Sequence, residues 1–455
     1  MHPNGSIRIL MYSHDTFGLG HLTRTVRIAR ALRARYGTAS ILILTGSPVA
    51  TYMPLPEGAD LVKLPTVVKA GAERYRARDL EVTFGQVKRL RRDLIRRAAE
   101  SFRPHLFLVD NVPLGMKGEI LPTLRWFRAS SPGTKIALDL RDILDDPSVI
   151  REAWRRDGVP EALDSLYDRI FVLGDSVFFD SAAAYDLPSS KTVHLGYGTP
   201  EVRASKRPGT KRTRAPRILL TVGGGGDGAG FLERALLGLS DGAIDEVSGR
   251  RPRASARIEV VTGPLMDPEG KRRIAARAMQ IGALVHEFVP DLPARMSRAD
   301  LVVAMAGYNT CCEILSHARA ALVVPRRTPR IEQLLRAEAF ERRGLVRVLP
   351  SIESEPGEIA AAIRRALEQG PWIDQGQMPV VGGFARLAEE AGSLCPELER
   401  PPAVVVSQPA QRARAAPAPS PRGGGASAPS TGGHDVWLRP GTSARIPAGS
   451  RQSES

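Results

Sequence analysis

The stretch Ser297-Arg-Ala-Asp-Leu-Val-Val-Ala-Met-Ala-Gly-Tyr-Asn-Thr-Cys-Cys-Glu313 decides the fold that we predict for this chain. Its apolar run is typical of a buried strand, and small residues lead from it into a helical pattern. Gly307 permits a sharp turn. The amides of Tyr308, Asn309 and Thr310 then form a helix N-terminus, which is a binding site for anionic groups such as phosphate. The stretch therefore predicts a strand–turn–helix unit with a phosphate site at the turn.

Short apolar runs alternate with amphipathic stretches on both sides of this unit. Such alternation predicts parallel sheets covered by helices on both faces. A helix is expected from His21 to Arg35, after the first strand. The predicted strands are residues 7–12, 40–45, 60–64, 105–109, 134–138, 169–173, 217–222, 257–261, 284–288, 301–304, 321–324 and 345–348.

The chain is predicted to be an α/β protein with two Rossmann-like domains that face each other across a cleft. The first domain covers residues 1–202, a basic linker covers 203–216, and the second domain covers 217–398. Pro, Ala, Arg, Gly and Ser dominate residues 399–455. So few large apolar side chains cannot offset the entropy cost of ordering, and we predict that this tail is disordered.

Composition excludes some classes of protein. The 455 residues are 42% hydrophobic and 25% charged, as in globular proteins. A net charge of +15 is compatible with binding nucleic acid or an anionic membrane. Aromatic residues make up only 5%, however, which argues against stacking on bases, and part of the charge lies in the linker and tail. We expect no nucleic-acid partner.

Cysteine usage and hydropathy indicate a cytoplasmic protein. Cys311, Cys312 and Cys395 lack the spacing of a metal site, and we expect free thiols in a reducing compartment. No apolar run reaches about 18 residues, the length typical of a membrane-spanning helix. The N-terminus also lacks the apolar core of a signal peptide.

The first glycine loop, Ser13-His-Asp-Thr-Phe-Gly-Leu-Gly-His21, follows the first predicted strand. Gly18 and Gly20 permit close approach of a ligand to the backbone. A dinucleotide fingerprint is excluded, because Thr23 occupies the third glycine position and no acidic residue follows the second strand. The helix dipole disfavours protonation of His21, so this imidazole is a candidate general base. The alternative is a histidine that only caps or packs the start of the helix.

Other strand ends carry further candidates. Asp110 is a second candidate for removing a proton, or a cap of the next helix. Gly223, Gly224 and Gly225 form a second glycine loop, which either approaches a ligand or is a flexible turn. Glu313 is a candidate ligand for ribose hydroxyls, or simply a favourable acid in the first helical turn.

Four motifs resemble the donor domain of glycosyltransferase family 28. They are Val285-His-Glu-Phe-Val-Pro-Asp-Leu292, Ala299-Asp-Leu-Val-Val303, Ala306-Gly307 through Glu313, and Val324-Pro325 through Glu332-Gln333. Phe17-Gly-Leu-Gly-His21 likewise resembles the first glycine loop of that family's lipid II N-acetylglucosaminyltransferase. The longer string from Tyr12 to His21 is similar to a bacterial group of predicted glycosyltransferases. The resemblance covers roughly residues 6–395.

This resemblance implies a GT-B fold and transfer of a hexosyl group from a nucleotide-diphosphate sugar, a UDP-sugar by family precedent, to an acceptor hydroxyl. It further implies inversion of configuration, no bound metal and no cofactor. It places His21 near the reaction centre. By the same resemblance, Phe288 and Val289 contact the donor base, Thr310 and the neighbouring amides the diphosphate, Glu313 the ribose, and Glu332 and Gln333 the transferred sugar.

The chain also departs from the lipid II enzyme. Gly225-Gly226 stands where that enzyme has Ser-Gln, and Cys311-Cys312 and Arg326-Arg327 differ as well. These departures leave the donor sugar and base open. The acceptor is open too, since the first domain matches poorly outside its glycine loop. Two alternatives share the architecture: a non-hydrolysing nucleotide-sugar epimerase, and a nucleotide-sugar-binding protein without turnover.

A basic amphipathic helix is predicted at residues 86–99 in the first domain. Its stripe of Val87, Leu90, Leu94 and Ala98 is surrounded by arginines. Such a helix could make peripheral contact with an anionic membrane at the inner face of the plasma membrane. The alternative is that the stripe is the core-facing side of the helix.

Overall fold

A computed structural model of the protein describes residues 7–14, 20–69, 75–199, 215–240, 256–373 and 375–399. These residues form two parallel β-sheets with helices packed against them, and one small antiparallel pair of strands. Most of the predicted linker and the predicted tail from residue 400 lie outside these ranges.

The first sheet contains seven parallel strands in the order β3-β2-β1-β6-β7-β8-β9. The antiparallel pair, β4 with β5, stands apart from it. The strands are β1 (Arg8–Ser13), β2 (Ser40–Thr45), β3 (Ala59–Lys63), β4 (Val67–Lys69), β5 (Tyr75–Ala77), β6 (Leu106–Asp110), β7 (Lys135–Arg141), β8 (Arg169–Leu173) and β9 (Thr192–His194).

The second sheet contains six parallel strands in the order β12-β11-β10-β13-β14-β15. Its strands are β10 (Arg217–Thr221), β11 (Arg257–Val261), β12 (Leu284–His286), β13 (Leu301–Met305), β14 (Ala321–Val324) and β15 (Arg347–Val348). We call each sheet with its packed helices a lobe.

Helices connect most of the parallel strands, as parallel pairing requires. They are α1 (Gly20–Arg35), α2 (Phe84–Phe102), α3 (Leu121–Ser130), α4 (Pro147–Asp157), α5 (Val159–Leu166), α6 (Ser181–Ala184), α7 (Ala229–Ser240), α8 (Pro268–Gln280), α9 (Leu292–Arg298), α10 (Tyr308–His317), α11 (Glu332–Arg342), α12 (Pro356–Gln369) and α13 (Gly383–Leu394).

The predicted strands and helix α1 are confirmed, four of the strands with the same bounds: 40–45, 169–173, 257–261 and 321–324. The structure adds β9 and the β4–β5 pair, which were not predicted. Strand β9 has three residues at the edge of its sheet and is only partly buried. A strand of that kind has neither the length nor the apolar run by which buried strands are found.

Each large sheet is buried on both faces, which explains why its strands read as continuous apolar runs. In β1, Ile9 and Met11 pack into one hydrophobic cluster, while Leu10 and Tyr12 pack into another on the opposite face. The first of these clusters also contains Tyr308 and Phe340 of the second lobe. Apolar packing therefore continues from one lobe into the other.

The order of strands reverses between β1 and β6 in the first sheet, and between β10 and β13 in the second. In open parallel sheets, ligands bind beyond the carboxyl ends of the strands at such a reversal. The loops at these four strand ends carry His14, Asp110, Gly223 and Gly307. The described ends of the first glycine loop and the whole of the second thus lie where the topology of the sheet places a ligand site.

Helix α13 packs on the first lobe although it follows the second sheet in sequence. It contacts α1 and β8, and the Tyr36 hydroxyl donates to the carbonyl oxygen of Ala388 at 2.7 Å. The Gly383 amide donates to the Tyr197 carbonyl at 2.9 Å. The second domain was predicted to extend to residue 398. Helix α13 lies within that range of the sequence, but it packs on the first lobe.

None of the helices in the described ranges is long and apolar enough to cross a membrane. The longest of them, α2, is rich in arginine.

A buried ion pair joins the two lobes. Arg336 of α11 donates from Nε and Nη2 to the two carboxylate oxygens of Asp142, which follows β7, at 2.8 and 2.7 Å. Both side chains are only 1% exposed. Arg336 Nη1 also donates to the carbonyl of Ala306 at 3.0 Å, next to the turn before α10. This guanidinium therefore connects three segments that border the space between the sheets.

Arg336→Met is expected to lower the free energy of unfolding by about 3–5 kcal/mol, because Asp142 would remain charged and buried without its partner. Urea and thermal unfolding of the full chain measure this loss. Arg35→Met is the matched control, since it removes an exposed pair with Glu399 and should shift the midpoint much less. Equal shifts for the two variants would contradict a structural role for the buried pair.

Candidate active site

His21 and Asp110 form a hydrogen-bonded dyad at the strand reversal of the first sheet. His21 lies in the first turn of α1, and Asp110 ends β6. The imidazole Nδ1 lies 2.7 Å from Asp110 Oδ2. Because an ionised carboxylate only accepts, Nδ1 carries the proton and Nε2 is the acceptor nitrogen. The two residues were predicted as separate candidates for proton removal, and the structure brings them into one unit.

The dyad lies among buried charges. Burial would raise the pKa of Asp110, but Arg24 and His21 hold it well below its usual range. Burial and the nearby Arg141 lower the pKa of His21 to about 4. The imidazole is therefore neutral at pH 7, as a general base must be. Burial also raises the pKa of Asp139, the second carboxylate partner of Arg24, to about 7.

The second glycine loop lies against the start of α10. Gly223 and Gly225 have φ values of +65° and +90°, which glycine adopts without strain. A Cβ atom at Gly223 would lie 3.6 Å from Thr310 Oγ1. The glycine loop and the first turn of α10 therefore border one small space, lined by a hydroxyl and by helix N-terminal amides. Such groups suit a phosphate.

The starts of α1 and α10 face each other across the lobes. Asn309 Nδ2 donates to the Gly20 carbonyl oxygen at 3.0 Å. The Tyr308 hydroxyl donates to the Leu173 carbonyl at 2.8 Å and accepts from the Gly198 amide at 3.0 Å. The predicted phosphate turn and His21 thus border the same junction between the lobes.

Glu313 points toward the first lobe, where it forms an ion pair with Arg27 of α1. It lines a cavity of about 360 Å³ between the lobes. His317, one turn further along α10, lines the same cavity, and burial lowers its pKa. The other lining residues include Arg30, Thr199, Pro293 and Phe384. The cavity is large enough for part of a nucleotide, and Glu313 is its carboxylate.

The predicted sugar-binding residues lie beside the second glycine loop. Glu332 accepts from Arg326 Nη2 at 2.7 Å, and Gln333 Oε1 accepts from the Arg326 amide at 3.2 Å. Arg326 also donates to Asp227 of the glycine loop at 2.9 Å. One oxygen of the Glu332 carboxylate, Oε2, is buried without a hydrogen-bond partner among the described residues. An unpaired buried acceptor of this kind can receive a ligand hydroxyl.

The two residues expected near the donor base differ in exposure. Phe288 is 61% exposed, while Val289 is buried in the core cluster that spans both lobes. Only the Phe288 ring is thus accessible to a ligand. Gly18 of the first glycine loop lies outside the described residues. Gly224 belongs to the second glycine loop, and its carbonyl oxygen accepts a hydrogen bond from the Leu265 amide at 2.9 Å.

Several site residues were not predicted from the sequence. They are Arg24, Arg27, Arg141, Asp139 and Asp227. The sequence indicates them only through their positions. Asp139 and Arg141 lie at the carboxyl end of strand β7, and Arg24 and Arg27 follow His21 at helical spacing. In an arginine-rich chain, such positions do not distinguish a site residue from a surface residue.

Comparison with known proteins agrees with this geometry. Residues 220–375 match the sequence model of the glycosyltransferase family 28 C-terminal domain. A UDP-N-acetylglucosamine–N-acetylmuramyl-(pentapeptide) pyrophosphoryl-undecaprenol N-acetylglucosamine transferase of Brucella abortus (strain S19) is 26% identical over 215 residues, which are 46% of this chain and 54% of that protein. The chain therefore spans about half the length of the curated relatives that it matches.

Solved structures extend the likeness to both lobes. Acinetobacter baumannii MurG has a TM-score of 0.52 and 13% identity, with 85% of this chain and 99% of that chain covered. The calicheamicin glycosyltransferase CalG4 has a TM-score of 0.51 and 17% identity, with 86% and 98% covered. The chain is thus a two-domain α/β protein of the GT-B fold. Over residues 220–375 it is similar to the glycosyltransferase family 28 C-terminal domain, and this part of the chain carries Glu313 and the second glycine loop.

Proposed function

We propose that this protein is a glycosyltransferase that moves a hexosyl group from a nucleotide-diphosphate sugar, a UDP-sugar, to an acceptor hydroxyl. The observation that carries the proposal is the contact of Asn309 with the Gly20 carbonyl, at 3.0 Å. It brings the phosphate-binding turn of the family 28 domain next to the His21–Asp110 dyad. This contact supports a reaction centre with the leaving group on the side of the second lobe and the base on the side of the first.

The donor would lie along the second lobe. Its diphosphate would occupy the space between Gly223 and Thr310, where the amides at the start of α10 stabilise the departing negative charge. Its ribose hydroxyls would donate to the Glu313 carboxylate, and its sugar would reach Glu332 and Gln333. UDP as the nucleotide is supported by the Brucella relative, whose name gives a UDP-sugar donor.

His21 would act as the base. Its Nε2 removes the proton of the acceptor hydroxyl while the hydroxyl oxygen attacks the anomeric carbon. The bond from that carbon to the diphosphate oxygen breaks, and the electron pair leaves with the nucleoside diphosphate. Asp110 keeps the imidazole oriented through Nδ1. Attack from the side of the first lobe, opposite the diphosphate, gives inversion, and stabilisation by amides supports a reaction that does not depend on a metal.

UDP is expected to stabilise the wild-type protein, by about 2.7 kcal/mol at a concentration of 100 times Kd. Glu313→Ala should lose most of this gain because the ribose loses its acceptor. A thermal-shift titration with UDP measures both effects. Glu338→Ala, which removes an exposed carboxylate of α11, is the control and should respond like the wild type. Stabilisation by NAD alone would contradict the proposal.

Incubation with labelled nucleotide sugars should show transfer, or slow hydrolysis without an acceptor. His21→Ala is expected to lower kcat by about 10²–10⁴-fold, the usual contribution of a general base. Asp110→Asn should lower kcat to a smaller extent, since the base is still present. His194→Gln, on edge strand β9, is the control. Interconversion of free nucleotide sugars would indicate an epimerase instead, and binding without turnover would indicate a protein that only binds.

Contact with an anionic membrane is a second part of the proposal, and it rests on helix α2. The side of α2 that faces the core carries Val87, Arg91, Ile95 and Ala99. Leu90 and Leu94 are 45% and 37% exposed, so the interpretation of the whole predicted stripe as a core face is wrong for these two residues. Exposed leucines flanked by arginines favour the interface of an anionic bilayer.

Leu90→Ser with Leu94→Ser is expected to abolish flotation of the protein with vesicles that contain phosphatidylglycerol. The measurement compares anionic with neutral vesicles at low and high salt, because attraction to the surface charge is screened. Val177→Ser removes a still more exposed apolar side chain elsewhere on the first lobe and should leave flotation unchanged. Absence of salt-sensitive flotation of the wild type would rule out this contact.

A further inference from the structure

Arg141 blocks the acceptor nitrogen of the dyad. It is the last residue of β7, and its Nη2 lies 2.5 Å from Nε2 of His21. The guanidinium can only donate, so the lone pair of Nε2 is occupied by this hydrogen bond. In this arrangement His21 cannot take a proton from a hydroxyl.

Among the described residues, Arg141 makes no direct ion pair, unlike its neighbours. Arg24 forms ion pairs with Asp110 and Asp139, and Arg336 pairs with Asp142. Within the described ranges, no carboxylate oxygen lies within 4.0 Å of the Arg141 guanidinium, and the His21 ring is its hydrogen-bond partner. A partly buried guanidinium whose partner is a neutral ring is a binding site for an oxyanion.

Its surroundings favour the same conclusion. Burial and the neighbouring Arg24 lower the pKa of Arg141 to about 9, while Asp110 and Glu332 act in the opposite direction. The segment that follows β7 contacts the second lobe next to Glu332, where the Ile331 amide donates to Asp145 Oδ1 at 2.9 Å. An acceptor hydroxyl that reaches Nε2 of His21 must therefore lie next to the Arg141 guanidinium.

We propose that Arg141 is a positioning residue that holds His21 inactive until an acceptor carrying an oxyanion, a phosphate or a carboxylate close to its reactive hydroxyl, binds to the guanidinium. The inference rests on the function proposed above. When the acceptor binds, Arg141 gives up its hydrogen bond to Nε2 of His21 and forms a stronger ion pair with the oxyanion of the acceptor. The freed Nε2 then accepts the hydroxyl proton. Without such an anion, His21 cannot remove a proton from water, which limits wasteful hydrolysis of the donor.

Modification of His21 by diethylpyrocarbonate, followed by peptide mass spectrometry of the full-length protein, tests the blocked state without turnover. Arg141→Gln is expected to raise the rate of modification of His21 roughly tenfold, the effect of losing one charge-assisted hydrogen bond. Inorganic phosphate or acetate, with UDP present to fill the donor site, should raise the wild-type rate similarly. Neither anion should change the rate in Arg141→Gln. The anion with the larger effect identifies the acceptor group as phosphate or carboxylate.

Controls separate this inference from loss of structure and from the proposed function. Arg128→Gln removes another partly buried arginine of the first lobe, which pairs with Asp168, and should react like the wild type. Arg141→Lys keeps the cation without the planar fork and should give an intermediate rate. Equal rates in the wild type and Arg141→Gln would overturn the inference. So would an equal effect of sodium chloride at matched ionic strength, or a full rise with UDP alone. The thermal shift with UDP reports on the donor site independently.

Discussion

The ion pair between Arg336 and Asp142 determines how the two lobes face each other. A guanidinium buried in an apolar interface is stable only if its donors are satisfied, and here they reach a carboxylate of one lobe and the Ala306 carbonyl of the other. The turn before α10 is therefore fixed relative to the end of β7. The first of these segments carries Tyr308 and leads to Glu313, and the second carries Arg141. The relative positions of the proposed donor site and the proposed base thus depend on this buried contact, together with the hydrogen bonds that Tyr308 and Asn309 make across the lobes.

Functional side chains at the junction are already engaged by groups from the chain itself. Arg27 holds Glu313, Arg141 holds His21, and the Gly20 carbonyl holds Asn309. A ligand that binds to these three groups therefore exchanges hydrogen bonds with the protein. The free energy of each exchange is the difference between two similar interactions, so specificity depends on how well the ligand reproduces the charge and geometry of the group that it displaces.

Sequence alone predicted the two sheets and which strand ends are candidates for a ligand site, because both depend on local patterns. Apolar runs define strands, and a ligand site in a parallel sheet must lie at strand ends such as those before His21 and Gly307. The pairing of charges could not be predicted in this way. Arg336 and Asp142 are 194 residues apart, and neither has a distinctive neighbourhood in the sequence. The exposed leucines of α2 were ambiguous for a related reason: Arg91 takes the core position by pairing with Glu119, which a hydrophobic pattern does not reveal.

Helix α13 brings the chain back from the second lobe to the first. The chain leaves the first sheet after Thr199, builds the second sheet, and returns to the first lobe where Val380 pairs with Tyr197. The chain consequently crosses between the lobes twice instead of once. A cut in the gene between the two sheets would therefore separate the first lobe from one of its own helices.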